Sequence, residues 1–465
     1  MIKYPRLTFS GLKGGSGKTI VSLGLSRYWN KKGFAVKPFK KGPDYIDAMW
    51  LSRAAGRIAT NLDPFFMSDQ IIRGLFAQKS DPNSLAVIEG NRGLFDGLDS
   101  DGSCSTSGLV RTLQSPVILV VDCTKVTRTV AAFILGCQEF EPDINIDGVI
   151  LNNVANQRHA NIIQESVEKY TRIPVLGKIP KIKSVLIPER HMGLISDQEY
   201  AAEEALENIS EIVSSHVDTQ RLMDIANNAP SLSDFPRSIW PFSSSVDRDI
   251  NIGVVKDASL WFYYPENLEA LQRAGAQIRE VSLLQSDPWP ELDGLYMGGG
   301  FPETQAEELS ANEFIKEHVY NLSRSGLPIY AECGGFMYLC SFLECEEGRF
   351  PLAGVFPLVM ELKKKPQGHG YTRARVVRDN PFHPPGSEFV GHEFHYSCCD
   401  IENNDEIEYC LELTKGTGVG GGKEGLIYKN TFACYTHLHA LSVPDWATRF
   451  VQACKEMSYK LKAES

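Results

Sequence analysis

The chain has 465 residues, more than one hydrophobic core usually supports, and a composition of 43% hydrophobic and 23% charged residues, as in a globular protein of two or three domains. A formal net charge of −11 sets nucleic acid and anionic membrane aside as partners, because phosphate binding needs clustered Lys and Arg. No stretch reaches the roughly 18 to 20 apolar residues of a spanning helix, and Met1-Ile2-Lys3-Tyr4-Pro5-Arg6 carries no signal region, so a cytoplasmic protein is expected.

From the N-terminus, short β-like runs at 7–10, 35–39, 86–88, 116–121, 148–151 and 174–176 alternate with helix-patterned segments. Apolar strands separated by helices predict a parallel sheet covered on both faces, an α/β nucleotide-binding architecture. Between the first run and the first helix lies Gly11-Leu12-Lys13-Gly14-Gly15-Ser16-Gly17-Lys18-Thr19. Strand, glycine loop and helix stand in the order of a P-loop. Gly14, Gly15 and Gly17 let the backbone curl so that N–H groups face phosphate oxygens, and the helix N-terminus adds a favourable dipole. Lys18 is placed for the β/γ-phosphates of ATP and Thr19 for Mg²⁺. Leu12 replaces the usual first glycine and Lys13 adds a second lysine, the deviant form of the loop.

Asp44 and Asp47 follow the second run and Glu89 follows the third. Carboxylates at the ends of neighbouring parallel strands converge on the ligand crevice, which makes Asp47 and Glu89 candidate metal ligands beside Thr19. Lys40 and Lys41 precede Asp44, where an amine would meet phosphates or a substrate carboxylate.

From 217 to 250 the pattern weakens into turn-forming residues, read as a linker between an ATP-binding domain at 1–216 and a second α/β domain at 251–465. Strand-like runs resume at 252–255, 278–281, 294–297 and 327–330. The last of these breaks through Glu332-Cys333-Gly334-Gly335 into a helix-like segment, a turn that exposes the thiol at its tip. A helix N-terminus there favours the thiolate. Backbone N–H groups near Gly334 and in Gly298-Gly299-Gly300 are placed for an oxyanion hole. A nucleophilic cysteine needs a base; Tyr435-Thr436-His437-Leu438-His439 offers His437, with His439 as its competitor. The glycine run at 416–422 reads as a surface turn. The eleven cysteines have neither paired metal-ligand spacings nor an export signal, so reduced thiols are expected.

Two half-reactions in one chain imply a third: a thiol pocket that frees ammonia from glutamine and a nucleotide pocket that activates a carboxylate make an amide. The sequence resembles the cobyrinic acid a,c-diamide synthase family over nearly its whole length. The resemblance is carried by the loop at 11–19, Gly42-Pro43-Asp44-Tyr45-Ile46-Asp47, Glu89-Gly90-Asn91-Arg92-Gly93-Leu94-Phe95-Asp96-Gly97 and Glu189-Arg190-His191-Met192-Gly193-Leu194. It continues through Phe262-Tyr263-Tyr264-Pro265-Glu266-Asn267, the Gly298 turn, the Cys333 elbow, Gly391-His392-Glu393-Phe394-His395-Tyr396-Ser397 and the terminal His-x-His.

The family implies a dethiobiotin synthetase-like P-loop domain followed by a class I glutamine amidotransferase-like domain. Its members are cytoplasmic enzymes of cobalamin biosynthesis that use ATP, Mg²⁺ and glutamine to amidate the a and c acetates of a corrin. By resemblance Cys333 is the nucleophile and His437 its base, Lys18, Thr19, Asp47 and Glu89 serve ATP and Mg²⁺, and Asp44, Lys40 and the Asp96 region approach the corrinoid carboxylates. Two departures stand out. Lys13-Gly14-Gly15 matches partition-type ATPases, leaving a homodimer open, and His439 sits where glutaminases of the wider class often carry an orienting Glu. A Ni-sirohydrochlorin a,c-diamide synthase and, in another class, a partition-like ATPase switch are the competing readings.

Overall fold

In the computed structural model, which describes residues 2–182, 189–190, 193–194, 202–245, 249–399 and 407–464, the chain divides into two units, Met1–Ile239 and Trp240–Ser465. His191 and Met192 of the motif quoted above lie outside the described residues.

The first unit alternates β1 (Arg6–Gly11), α1 (Lys18–Lys31), β2 (Val36–Lys41), α2 (Tyr45–Ala55), β3 (Thr60–Leu62), α3 (Asp69–Lys79), β4 (Leu85–Gly93), α4 (Thr106–Leu113), β5 (Val117–Asp122), α5 (Thr129–Phe140), β6 (Ile146–Val154), α6 (Gln157–Thr171) and β7 (Val175–Pro180). The sheet order is β3-β2-β4-β1-β5-β6-β7, with every pairing parallel. Covered on both faces, β1 and β2 are buried along their whole length. Burial of β2 includes three lysines, and each meets compensating polar groups, as a buried ammonium requires. Lys37 donates to Thr60 Oγ1 (3.0 Å), Lys40 lies between Asp47 and Glu89, and Lys41 senses the charge of Asp63.

The segment expected as a linker is in part structured. After α7 (Ala202–His216), Asp218 caps α8 (Thr219–Asn227) by accepting the Arg221 N–H at 3.0 Å, and Leu222 and Ala226 are fully buried. Leu222 and Ala226, four apart, place two apolar side chains on one helical face. That short signal is masked in sequence by the Asn, Pro and Ser residues that follow. Farther on, Leu232 bridges to Ile2.

In the second unit a ten-stranded sheet runs Ala276–Val281, Ile250–Val255, Gly294–Met297, Ile329–Glu332 and Thr431–Cys434 in parallel. It continues antiparallel through Lys423–Tyr428, Glu408–Lys415, Gly368–Val376 and Glu388–His395 to His437–Leu438. Leu295, Met297, Ile329, Ala331, Phe336 and Leu339 belong to its core, so the elbow after Glu332 is anchored on both sides. Among the described residues no helix is long and apolar enough to cross a membrane, and all eleven cysteines are free.

Candidate functional site

The P-loop spans the gap between β1 and α1. Gly15 and Gly17 adopt φ of +72° and +92°, a region glycine enters without steric cost. At position 17 even a methyl group is excluded, since a Cβ would stand 2.1 Å from Asn152 Nδ2, the atom that donates to Ser16 O at 3.0 Å. A Cβ on Gly14 or Gly15 would meet nothing within 4 Å, so the outer rim of the loop faces open space. Lys13 is exposed and its Nζ lies 3.7 Å from Asp122 Oδ2.

Beside the loop the structure gathers Lys18, Thr19, Lys40, Asp47 and Glu89. Thr19 Oγ1 and Lys40 Nζ both donate to Glu89 Oε1, each at 2.8 Å, and Lys40 also donates to Asp47 Oδ2 at 2.5 Å. Burial pushes Glu89 above the ordinary carboxylate range against the pull of Lys40. It would also pull Lys40 down, but Asp47 and Glu89 outweigh it and keep the amine charged. Lys18 is lowered by burial, while Glu89, Asp47 and Asp96 draw it back up and Lys40 opposes them. Asp44 turns its Oδ1 to the Asp47 N–H (2.9 Å), capping α2, and burial together with the Asp47 charge raises it. Asp96 accepts the Gly93 N–H at 2.8 Å.

These donors fit a magnesium ion. Thr19, Asp47 and Glu89 offer only oxygen, and the buried Glu89 Oε2 has no hydrogen-bond partner among the described residues. No three His, Cys, Asp or Glu side chains form a cage among the described residues. Magnesium usually takes one or two protein carboxylates and completes its shell with water and phosphate oxygens. Sequence reasoning missed Asp122 and Asn152, both at the C-terminal ends of strands it had located. Position beyond a strand end was the available signal.

In the second unit, Cys333 occupies φ +48°, ψ −101° between strand Ile329–Glu332 and helix Gly334–Leu339. A non-glycine residue is rarely held at positive φ, and the turn is fixed by Cys333 N–H to Cys434 O (2.7 Å) and Gly335 N–H to Gly298 O (3.0 Å). Glycine at 299 and 334 has a steric cause. A Cβ at 299 would lie 2.3 Å from His437 Cε1, and one at 334 would lie 2.9 Å from Gly300 N. The elbow and the His437 ring therefore both abut the 298–300 turn. Of the amides considered for an oxyanion hole, Gly298 N–H is already donated to Tyr263 Oη at 2.8 Å, whereas Gly334 N–H bonds the Cys333 sulfur.

One expectation is overturned. Burial, followed by the Glu303 carboxylate, pushes the Cys333 thiol well up despite the Gly334 N–H, so the resting group is S–H rather than a thiolate. The following helix has only six residues, and its terminus does not offset the loss of water. Activation then needs a base.

His437 and His439 are both buried, and each finds its own carboxylate. His437 Nδ1 lies 3.6 Å from Glu332 Oε2, and His439 Nε2 lies 3.7 Å from Glu266 Oε2. Asn267 pins the segment that carries them, donating to Leu438 O (3.0 Å) and accepting the Ala440 N–H (2.7 Å). In the 391–397 motif, His392 stacks on His437 with ring centres 4.9 Å apart, and Glu393 accepts the Thr417 and Gly418 amides at 2.6 and 2.9 Å. The glycine run at 416–422 is thus a turn between antiparallel strands whose entry is tied to the motif.

Glu424, fully buried behind the site, accepts the Tyr435 N–H (2.9 Å) and Gly425 N–H (3.2 Å), and burial pushes its carboxyl up to about 8. A folded carboxyl that holds its proton above the unfolded value of 4.5 contributes stability at low pH, and that contribution is lost as pH rises toward 8. Glu424→Gln cannot ionise. Its melting temperature relative to wild type should therefore climb steadily between pH 5 and pH 8 in calorimetry, and a constant difference would refute the burial argument.

Fold and sites together define a glutamine-hydrolysing amidotransferase in which a nucleotide-binding domain and a class I glutaminase domain share one chain. Residues 7–195 match the CobQ/CobB/MinD/ParA nucleotide binding domain and residues 251–444 the CobB/CobQ-like glutamine amidotransferase domain. Cobyrinate a,c-diamide synthase of Magnetococcus marinus is 40% identical over 449 residues, covering 96% of each chain. Those of Archaeoglobus fulgidus and Methanosphaera stadtmanae are 38% and 37% identical, covering 96% and 97% of this chain and 97% and 99% of their own. The chain belongs to the cobyrinate a,c-diamide synthase family.

Proposed function

We propose that this enzyme converts the a and c acetate carboxylates of cobyrinic acid to amides in cytoplasmic cobalamin biosynthesis, driven by ATP and supplied with ammonia from glutamine. The observation that carries the reading is the pairing, in one chain, of a P-loop beside a hydroxyl and two carboxylates with a strained cysteine elbow beside a histidine. Full-length similarity to synthases of that name supports the substrate class.

In the glutaminase site, His437 takes the Cys333 proton as sulfur attacks the glutamine carboxamide carbon, and the Gly334 amide, which bonds the sulfur at rest, passes to the developing oxyanion. Collapse breaks the C–N bond, and His437 returns the proton to the leaving ammonia. Water then cleaves the thioester to glutamate. In the nucleotide site, Lys18 and the loop amides hold the β/γ-phosphates while a substrate carboxylate oxygen attacks the γ-phosphorus and ADP leaves. Ammonia displaces phosphate from the acyl phosphate to give the amide. Thr19, Asp47 and Glu89 would hold magnesium, which would supply charge neutralisation at the phosphates. Lys40 keeps the two carboxylates in place, and Lys13 and Asp44 flank the pocket.

Incubation with ATP, Mg²⁺, glutamine and cobyrinic acid should yield, by mass spectrometry, a product lighter by about one mass unit for each acid converted, stopping at two. Amidation of Ni-sirohydrochlorin in preference to the corrin would replace the substrate and keep the chemistry. Release of no glutamate would leave a partition-like ATPase.

A further inference from the structure

The slot two residues after His437, where glutaminases of the wider class often carry an orienting glutamate, holds His439, and His439 pairs with Glu266. We propose that Glu332, the residue immediately before the nucleophile, is the carboxylate that orients His437 for glutamine hydrolysis. The inference rests on the glutaminase reading above and adds a positioning residue to it.

Glu332 is fully buried and held at both oxygens. Oε1 accepts the Leu438 N–H at 3.2 Å, and Oε2 accepts the Tyr296 hydroxyl at 3.3 Å. Tyr296 Oη in turn receives Asn267 Nδ2 at 3.1 Å. From this fixed position Oε2 stands 3.6 Å from His437 Nδ1. At that separation the carboxylate faces the ring without bonding it, and the gap closes to a hydrogen bond as the imidazolium forms. The neighbours of the ring favour the same orientation. His392 lies against it at 4.9 Å with planes 21° apart, and Phe262 borders it at 6.3 Å. His392 is held well below its usual range by burial and by the charges of His437 and His439, so it stays neutral and does not compete for Glu332. With Nδ1 turned to the carboxylate, proton transfer from the thiol is assigned to Nε2.

The Glu332→Gln variant preserves side-chain size and the acceptor for Leu438, and it removes the charge together with the oxygen that faces Tyr296 and His437. Glutamine hydrolysis should fall about 10²- to 10⁴-fold in kcat, as when a triad carboxylate is neutralised, with KM for glutamine unchanged to about twofold. Ammonium-driven amidation should persist, which separates a positioning role from a structural one. A Glu332→Gln kcat within about threefold of wild type, with Cys333→Ala inactive, would overturn the role of Glu332 alone; glutamine hydrolysis by Cys333→Ala would overturn the glutaminase reading itself. Should Glu332→Gln lose both activities, the wild type decides. In ¹⁵N-histidine NMR, with His437→Asn to assign the signal, neutral His437 should carry its proton on Nδ1, and a proton on Nε2 would refute the proposal.

Discussion

Cys333→Ala should lower glutamine-driven amidation by at least about 10⁴-fold and leave ammonium-driven amidation at the wild-type rate. The magnitude follows from the nucleophile being irreplaceable. No other thiol shares the elbow, because Cys340 and Cys434 are fully buried in the surrounding elements. Retention of the ammonium reaction follows from the division of labour, since Lys18, Thr19, Lys40, Asp47 and Glu89 all belong to the first unit and Cys333 to the second. The ammonium rate should rise with pH as the fraction of neutral ammonia grows. The buried thiol resists ionisation, so glutamine hydrolysis depends on His437 to take its proton. Replacement by alanine also removes a side chain from positive φ without relieving the backbone, so the variant keeps the strained turn and serves as a clean control. Comparable loss in both assays would mean that Cys333 supports the fold rather than the chemistry.

Most parallel strands of the two sheets were legible as short apolar runs, whereas the antiparallel strands between Gly368 and Tyr428, with one face polar, were not read. The P-loop was legible because positive φ at Gly15 and Gly17, and at position 17 the Asn152 side chain as well, leave little choice of residue. The contacts that complete each site were harder to see. Asp122 and Asn152 lie in the last residues of strands whose ends sequence places only to within a few residues. Glu332 sat in plain view beside Cys333, yet its contact with His437 joins residues 105 apart along the chain, through the pairing of Ile329–Glu332 with Thr431–Cys434 and the turn that follows. The protonation state of Cys333 was misjudged for a similar reason. Helix position can be read locally, whereas desolvation depends on everything packed around the sulfur.

Lys18→Ala should reduce amidation by about 10²- to 10³-fold with glutamine and ammonium alike, while glutaminase activity measured without ATP is unchanged. Around Lys18 the charges are finely set. Glu89, Asp47 and Asp96 lie near it, Lys40 is the other amine, and both lysines are buried. Loss of Lys18 leaves three carboxylates facing a single ammonium that is already committed to Asp47 and Glu89. Incoming phosphates would then meet net repulsion in a pocket where low water content magnifies each charge. The fold should tolerate the change, because burial already disfavours the charged amine and the Lys40 pairs survive. Lys18→Arg should not restore activity, since a planar guanidinium is broader than the compact ammonium this buried site encloses. Calorimetric titration with an unhydrolysable ATP analogue gives the decisive reading. Weakened nucleotide binding in both variants, with an unchanged melting temperature, is expected, and wild-type binding joined to wild-type ammonium-driven turnover would remove Lys18 from the phosphate site.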